Sequence, residues 1–219
     1  MNPLRIFCRP AEADSPLLLV FTSPQDRNQE LLFGKMPPGV SLLAVDEADW
    51  EGSFTPWPAP AVFKGAAAFG GGADAYLCRL AGEVLPDAEA GYGLRPVWRG
   101  VAGYSLAGLL AAYCAYRMPL FDRLACVSGS LWFDGWGDFV RREPLAYPPE
   151  RAYFSIGGDE DKARNPRLAR VARQMGETCA MWRQAGVPVM FETNPGGHFN
   201  DVPGRLGRAA EWLMRENAV

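Results

Sequence analysis

Short, mainly apolar runs alternate along this chain with longer stretches in which apolar residues recur at helical spacing. Leu4–Cys8, Leu17–Thr22, Ser41–Asp46, Val97–Ala102, Leu124–Ser128, Ala152–Ile156 and Val189–Thr193 read as strands. Between them, Asp74 caps a predicted helix that places Leu77, Leu80, Val84 and Leu85 on one face and stops at Pro86. Leu106–Arg117 is apolar nearly all round, as a central buried helix is. Asn165 and Pro166 open a long helix with a buried stripe of Leu168, Val171, Ala172, Met175, Cys179 and Trp182, closed by Gly186 and Pro188. A last helix begins near Asp201–Pro203 and turns Leu206, Ala209, Ala210 and Leu213 inward. Strand–helix alternation of this kind predicts an α/β fold with a mainly parallel central sheet flanked by helices.

Two segments break the pattern. "EGSFTPWPAP" (51–60) is too rich in proline for regular structure, and "GSLWFDGWGDFVRREPLAYPPE" (129–150) fills the gap between two strands. Both are expected at the carboxyl ends of strands, where open α/β sheets bind ligands, and together they suggest a small cap. No repeat or linker divides the chain, so residues 1–219 are expected to form one domain.

Composition narrows the function by exclusion. A net charge of −3 offers no general attraction to nucleic acid or an anionic membrane, and no apolar run is long enough for a bilayer span. Five widely spaced cysteines without a C-x-x-C pair read as free thiols. With no leader-like N-terminus, a cytoplasmic location is expected. The chain has one histidine, His198, so a multi-histidine metal site is excluded. No cofactor is expected, and a homodimer is compatible with the pattern.

That histidine matters because of "GYSLAGL" at 103–109. The strand ending before Gly103 and the helix starting after Ser105 match a nucleophile elbow, Gly-x-Ser-x-Gly, with Ala107 in the last position and Gly108 following. A serine hydroxyl is a poor nucleophile at neutral pH and needs an imidazole to take its proton. "FETNPGGHFNDVP" supplies His198 after a strand and a flexible Gly196–Gly197 turn. An acid must then hold the imidazole, and "IGGDED" offers Asp159, Glu160 and Asp161 after another strand. Serine, acid, histidine is the chain order of α/β-hydrolase triads.

"FTPWPAPAVFKG", "GGGADAYL", "GYSLAGL", "VSGSLWF" and "NPGGHF" together resemble the esterase family of α/β-hydrolases, near its enterochelin-esterase-like and esterase D-like branch. The resemblance runs from about Leu17 to the C-terminus. It implies an α/β-hydrolase fold and cleavage of a small-molecule carboxylic ester by Ser105 and His198. Acyl transfer on the same fold, or a non-catalytic binding module, are the alternatives. The family commonly places its acid three residues after a strand-ending glycine. Counting from Gly157 gives Glu160, counting from Gly158 gives Asp161, and some siderophore esterases resemble Ser–His dyads. Glu160 is the expected acid, since the third residue of the turn can point back across the sheet edge.

An oxyanion hole is expected from the amide of Leu106 and one from the loop after Leu17–Thr22, with Thr22 and Ser23 the candidates and Ser23 preferred. Trp132, Phe133 and Trp136 are expected to wall an acyl or aryl pocket. Glycines 70–72 follow no strand and precede no Gly-Lys, so they are not a phosphate loop. Arg164, Arg167, Arg170 and Arg173 recur every three residues and are expected to form a solvated helix face.

Overall fold

A computed structural model of the chain describes residues 5–24 and 29–215. In chain order the elements are β1 (Ile6–Arg9), β2 (Leu17–Thr22), α1 (Gln29–Lys35), β3 (Ser41–Asp46), a one-turn α2 (Trp50–Ser53), and the short strands β4 (Pro58–Ala59) and β5 (Phe69–Gly70). Then come α3 (Ala73–Arg79), a π turn (Leu80–Val84), α4 (Leu85–Tyr92), β6 (Arg99–Tyr104), α5 (Leu106–Arg117) and β7 (Arg123–Val127). The chain continues through α6 (Trp136–Arg142), β8 (Arg151–Gly157), α7 (Val171–Gln184), β9 (Val189–Asn194) and α8 (Val202–Met214).

Seven strands form one sheet in the order β1-β3-β2-β6-β7-β8-β9. Every pairing is parallel except that of β1 with β3. β2, β3 and β8 are buried at every residue, which is why they read as continuous apolar runs: helices cover both faces. α5 packs in one apolar layer with α3, α4 and α7, and α1 and α8 form the other. This is the α/β-hydrolase architecture. After β3 the chain crosses back over β2 to begin β6, so the strand order reverses between β2 and β6. Ligands of open α/β sheets sit at such a switch point, and Ser105 follows β6 directly.

Local chemistry accounts for the departures from expectation. Pro86 does not stop its helix. The π turn before it lets the Leu85 amide reach the Leu80 carbonyl, and the proline falls in the first turn of α4, where its missing N–H costs little. The helix ends instead at Gly93, in left-handed conformation (φ 66°), with Leu94 N–H on the Glu89 carbonyl at 2.8 Å. Asn165 caps only a short turn, accepting from Arg167 N–H at 2.9 Å, and α7 begins later, at Val171. The two irregular segments hold most of α2, the strand β4, which pairs with β5 further along the chain, and α6, and the Trp57 indole N–H ties them together by donating to the Asp134 carbonyl at 2.8 Å. Among the described residues no helix is long and apolar enough to cross a membrane.

Candidate active site

Ser105 joins β6 to α5 with φ 57° and ψ −121°, a left-handed backbone that a serine adopts only under constraint. Its amide bonds the Val127 carbonyl at 3.2 Å, and its own carbonyl accepts from Leu109 and Ser130. The small residues around it answer to close approach. A Cβ on Gly103 would lie 2.0 Å from the Ala107 carbonyl oxygen, and one on Gly108 would lie 2.9 Å from both Gly103 O and the Gly129 Cα. The glycine this elbow needs on its helical side is Gly108, and Ala107 buries its methyl in the core.

β9 leads through Gly196 (φ 81°) to His198, whose Nε2 lies 3.0 Å from Ser105 Oγ. Its Nδ1 lies 2.8 Å from Glu160 Oε2. A carboxylate can only accept, so Nδ1 carries the proton and Nε2 is left to accept from the serine hydroxyl. Glu160 is 9% exposed, whereas Asp159 and Asp161 face solvent, Asp159 paired with Lys162 at 2.5 Å. Backbone bonds stitch the acid's loop to the histidine's: Gly158 N–H to Asn194 O at 2.9 Å and Asp159 N–H to Gly196 O at 3.1 Å. A Cβ on Gly157 would come within 2.5 Å of the Gly196 carbonyl oxygen, so the two loops meet only over a glycine.

Burial alone would raise the Glu160 carboxyl. Hydrogen bonds from His198, the Gly157 amide (2.7 Å) and the Ser128 hydroxyl (2.7 Å) outweigh it and hold the carboxyl below the ordinary carboxylate range. The Tyr104 phenol, pushed up by burial, stays protonated and donates to the His198 carbonyl. The geometry therefore presents an ionised acid, an imidazole and a serine in one hydrogen-bonded line.

That line opens into a cavity of about 450 Å³. Val62, Phe63, Phe69, Trp132, Leu168 and Val171 form its apolar wall, and Phe199 stands at the edge, 89% exposed. A larger cleft of about 970 Å³ beside α2 is lined by Asp46, Glu47 and Tyr76, and by none of Ser105, Glu160 and His198.

Residues 39–201 match the family model described as "Putative esterase". The chain belongs to that esterase family. It is 26% identical to the uncharacterized protein YbbA of Bacillus subtilis over 188 residues, 82% of this chain and 75% of that one. Among solved structures it is similar to the siderophore hydrolase EstA of Aspergillus nidulans, with a TM-score of 0.76, 17% identity, and coverage of 97% of this chain and 90% of that one. It also resembles the enterochelin esterase of Shigella flexneri, with a TM-score of 0.69, 17% identity, and coverage of 97% and 54%.

In this esterase-family chain not every expected site residue reaches the cavity. Trp132 does, but Phe133 and Trp136 are fully buried and do not. Phe133 packs on Trp57 and Phe69, while the Trp136 indole N–H donates to Thr178 on α7 at 3.1 Å. Both belong to the layer beneath the pocket. Leu106 lines the cavity and, as the first residue of α5, has an amide with no intrahelical partner. Ser23 follows β2 and is not among the described residues that line the cavity. The arginine series is a solvated face only in part: Arg164 and Arg173 are exposed, and Arg173 pairs with Glu177 on its own helix. Arg167 and Arg170 converge on the Asp134 carboxylate at 2.8 and 2.9 Å, and Arg167 also donates to the carbonyls of Pro60 and Ala61. They fasten the cap segments and leave no free anion site there.

Sequence reading missed four residues. Ser130 places its hydroxyl 3.3 Å from Ser105 Oγ, and Ser128, Tyr104 and Arg205 stand behind Glu160 and His198. Arg205 carried a signal: with Ala209 and Leu213 it falls on the buried stripe of α8, where a charge needs partners.

Proposed function

We propose that the chain is a serine esterase in which Ser105, His198 and Glu160 form the catalytic triad. The observation that carries this reading is the unbroken line from Ser105 Oγ through His198 to Glu160, at 3.0 and 2.8 Å, opening on the cavity. His198 Nε2 takes the hydroxyl proton as Ser105 Oγ attacks the ester carbonyl. The Leu106 amide faces the developing oxyanion. Collapse returns that proton to the departing alcohol and leaves an acyl-enzyme. Water, deprotonated by the same imidazole, then releases the acid and restores the serine.

The cavity supports an ester whose acyl group is apolar and uncharged. Its wall is aromatic and aliphatic, and no lysine or arginine is among the described residues that line it. Glu51 and Asp159 lie on its border and disfavour a carboxylate-bearing acyl chain. The relatives named as siderophore hydrolase and enterochelin esterase make siderophore esters candidate substrates too. The test is labelling by a fluorophosphonate probe together with turnover of matched neutral and anionic esters. Labelling that disappears in Ser105→Ala, with the neutral ester preferred, supports the reading. An unlabelled wild type overturns it.

A further inference from the structure

Behind the site, α8 sends one charged side chain into the core. Arg205 is fully buried and lies four residues before Ala209, on the stripe that packs against the sheet. Its two terminal nitrogens divide the work. Nη1 reaches Ser128 Oγ at 3.0 Å, Glu160 Oε1 at 3.3 Å and the Tyr104 hydroxyl at 3.5 Å. Nη2 donates to the carbonyls of Pro195 and Gly197 at 2.9 and 3.0 Å, the loop that carries His198.

We propose that Arg205 is a positioning residue of this site: its guanidinium locks Glu160 and the His198 loop into one unit, and its charge limits how strongly Glu160 holds a proton on His198. The inference rests on the esterase reading for its catalytic meaning, but its physical content can be measured without turnover.

The first half follows from geometry. Glu160 offers one oxygen to His198 and the other to Gly157, Ser128 and Arg205. Its carboxylate can therefore rotate only by giving up those partners. Pro195 and Gly197 flank a turn that Gly196 makes flexible, and the planar fork of Arg205 bridges their carbonyls. A lysine keeps the charge but is a single point donor, and cannot hold both the carboxylate side and the carbonyl side.

The second half follows from charge. The titratable and charged groups around the imidazole and its cavity are Glu51 on α2, Glu160 and Asp159 after β8, Tyr104 at the end of β6, and Arg205 on α8. Asp159 is answered by Lys162, and Asp201 at the foot of α8 by Arg208. Glu160 alone would favour the imidazolium, and the adjacent guanidinium opposes it. Without Arg205 the carboxyl keeps three donors, from His198, Gly157 and Ser128, and stays ionised. Its full pull then falls on His198.

Because the chain has a single histidine, proton NMR of the imidazole reads this directly. Arg205→Met should raise the His198 titration midpoint and move the acidic limb of kcat/KM up with it. Arg205→Lys should leave the midpoint near wild type and lower kcat about tenfold with KM unchanged, as expected of a displaced base. KM is spared because Arg205 does not line the cavity. An unshifted midpoint in folded Arg205→Met overturns the charge role. Wild-type kcat in Arg205→Lys overturns the positioning role, and this variant decides the matter if the methionine protein does not fold. A shifted midpoint in a protein that hydrolyses no ester keeps the coupling and discards the esterase.

Discussion

His198 stands between two unlike regions. Behind it, Glu160, Ser128, Tyr104 and Arg205 are buried or nearly so and bonded to one another, to the Gly157 amide at the end of β8 and to the backbone of the His198 loop. In front, the cavity wall is apolar, and Phe63 and Phe199 are 62% and 89% exposed. A buried polar network has few arrangements that satisfy every partner, because each unmet group costs about 1–3 kcal/mol. Apolar walls repack among near-equal arrangements at small cost. The rear thus fixes a geometry, whereas the front can change what it admits without disturbing the chemistry. If this division holds, changes behind His198 alter rate, and changes in front alter choice of ester.

The sharpest break is at the junction itself. Ser105→Ala should cost on the order of 10⁶ in kcat, as removal of a triad nucleophile does. Thermal stability should barely change, since one partly exposed hydroxyl is lost and alanine meets the same positive φ. Retention of a tenth of wild-type turnover would remove the nucleophile and leave the comparison without a centre.

Glu160→Gln comes next, at about 10⁴ in kcat, the price of leaving the imidazole in the wrong tautomer. Asp159→Asn and Asp161→Asn, both at exposed positions, should stay within a few-fold. The same carboxyl has a pH signature in stability. It is held lower in the fold than in the unfolded chain, where glutamate titrates near 4.3. Its ionised form therefore stabilises the fold above that pH, and the gain is lost as pH falls through the folded value. Urea titrations from pH 7 to 3 should show that loss in wild type, and its absence in Glu160→Gln. Equal pH slopes in the two proteins would mean that the rear network is not held by this charge.

What the sequence made legible follows the same division. The elbow is a local motif: a strand, a strained turn and a helix fall within about a dozen residues, and steric demand fixes which must be small. His198 stood out by being alone, whereas Glu160 was one of three neighbouring carboxylates, and the family's count from a strand-ending glycine left Asp161 beside it. Arg205 was obscured because its meaning depends on partners from the end of β6 and from the segments after β7, β8 and β9. One arginine beside an apolar stripe looks like the stripe's border until those segments assemble. The aromatics after β7 failed for a related reason. Trp132 and Phe133 are adjacent, and which one faces the cavity depends on how the cap segment meets Trp57 and Phe69, contacts more than sixty residues away. Pro86 misled because the π turn that accommodates it has no simple pattern in apolar spacing.

Trp136 tests whether the layer beneath the pocket is scaffold. Its ring is fully buried against Tyr116 and Phe139, and its N–H is spent on Thr178. Trp136→Ala should cost about 3–5 kcal/mol of stability, while the folded fraction keeps the wild-type order of preference among esters. A changed order with little loss of stability would move the boundary between front and scaffold one layer inward.

The smallest effect, and the most direct test of the front, is expected at Trp132. It lines the cavity with one edge and is half-buried against Phe69, with the Arg167 guanidinium 6.0 Å from its ring centroid. Arg167 keeps its bonds to Asp134 and to the carbonyls of Pro60 and Ala61 when the indole is removed, so the cap stays fastened. Trp132→Ala should therefore leave turnover of an acetyl ester close to wild type. Esters with larger acyl groups lose or gain apolar contact worth about 1–3 kcal/mol, so their kcat/KM should move by about tenfold relative to acetyl. The measurement is the ratio of kcat/KM across acyl lengths, in wild type and variant, at one pH and temperature. Ratios that change while the acetyl rate holds assign Trp132 to ester choice. A parallel fall for every ester, with the ratios intact, would place it with Phe133 and Trp136 as packing and leave Phe63, Phe69 and Phe199 to select the substrate.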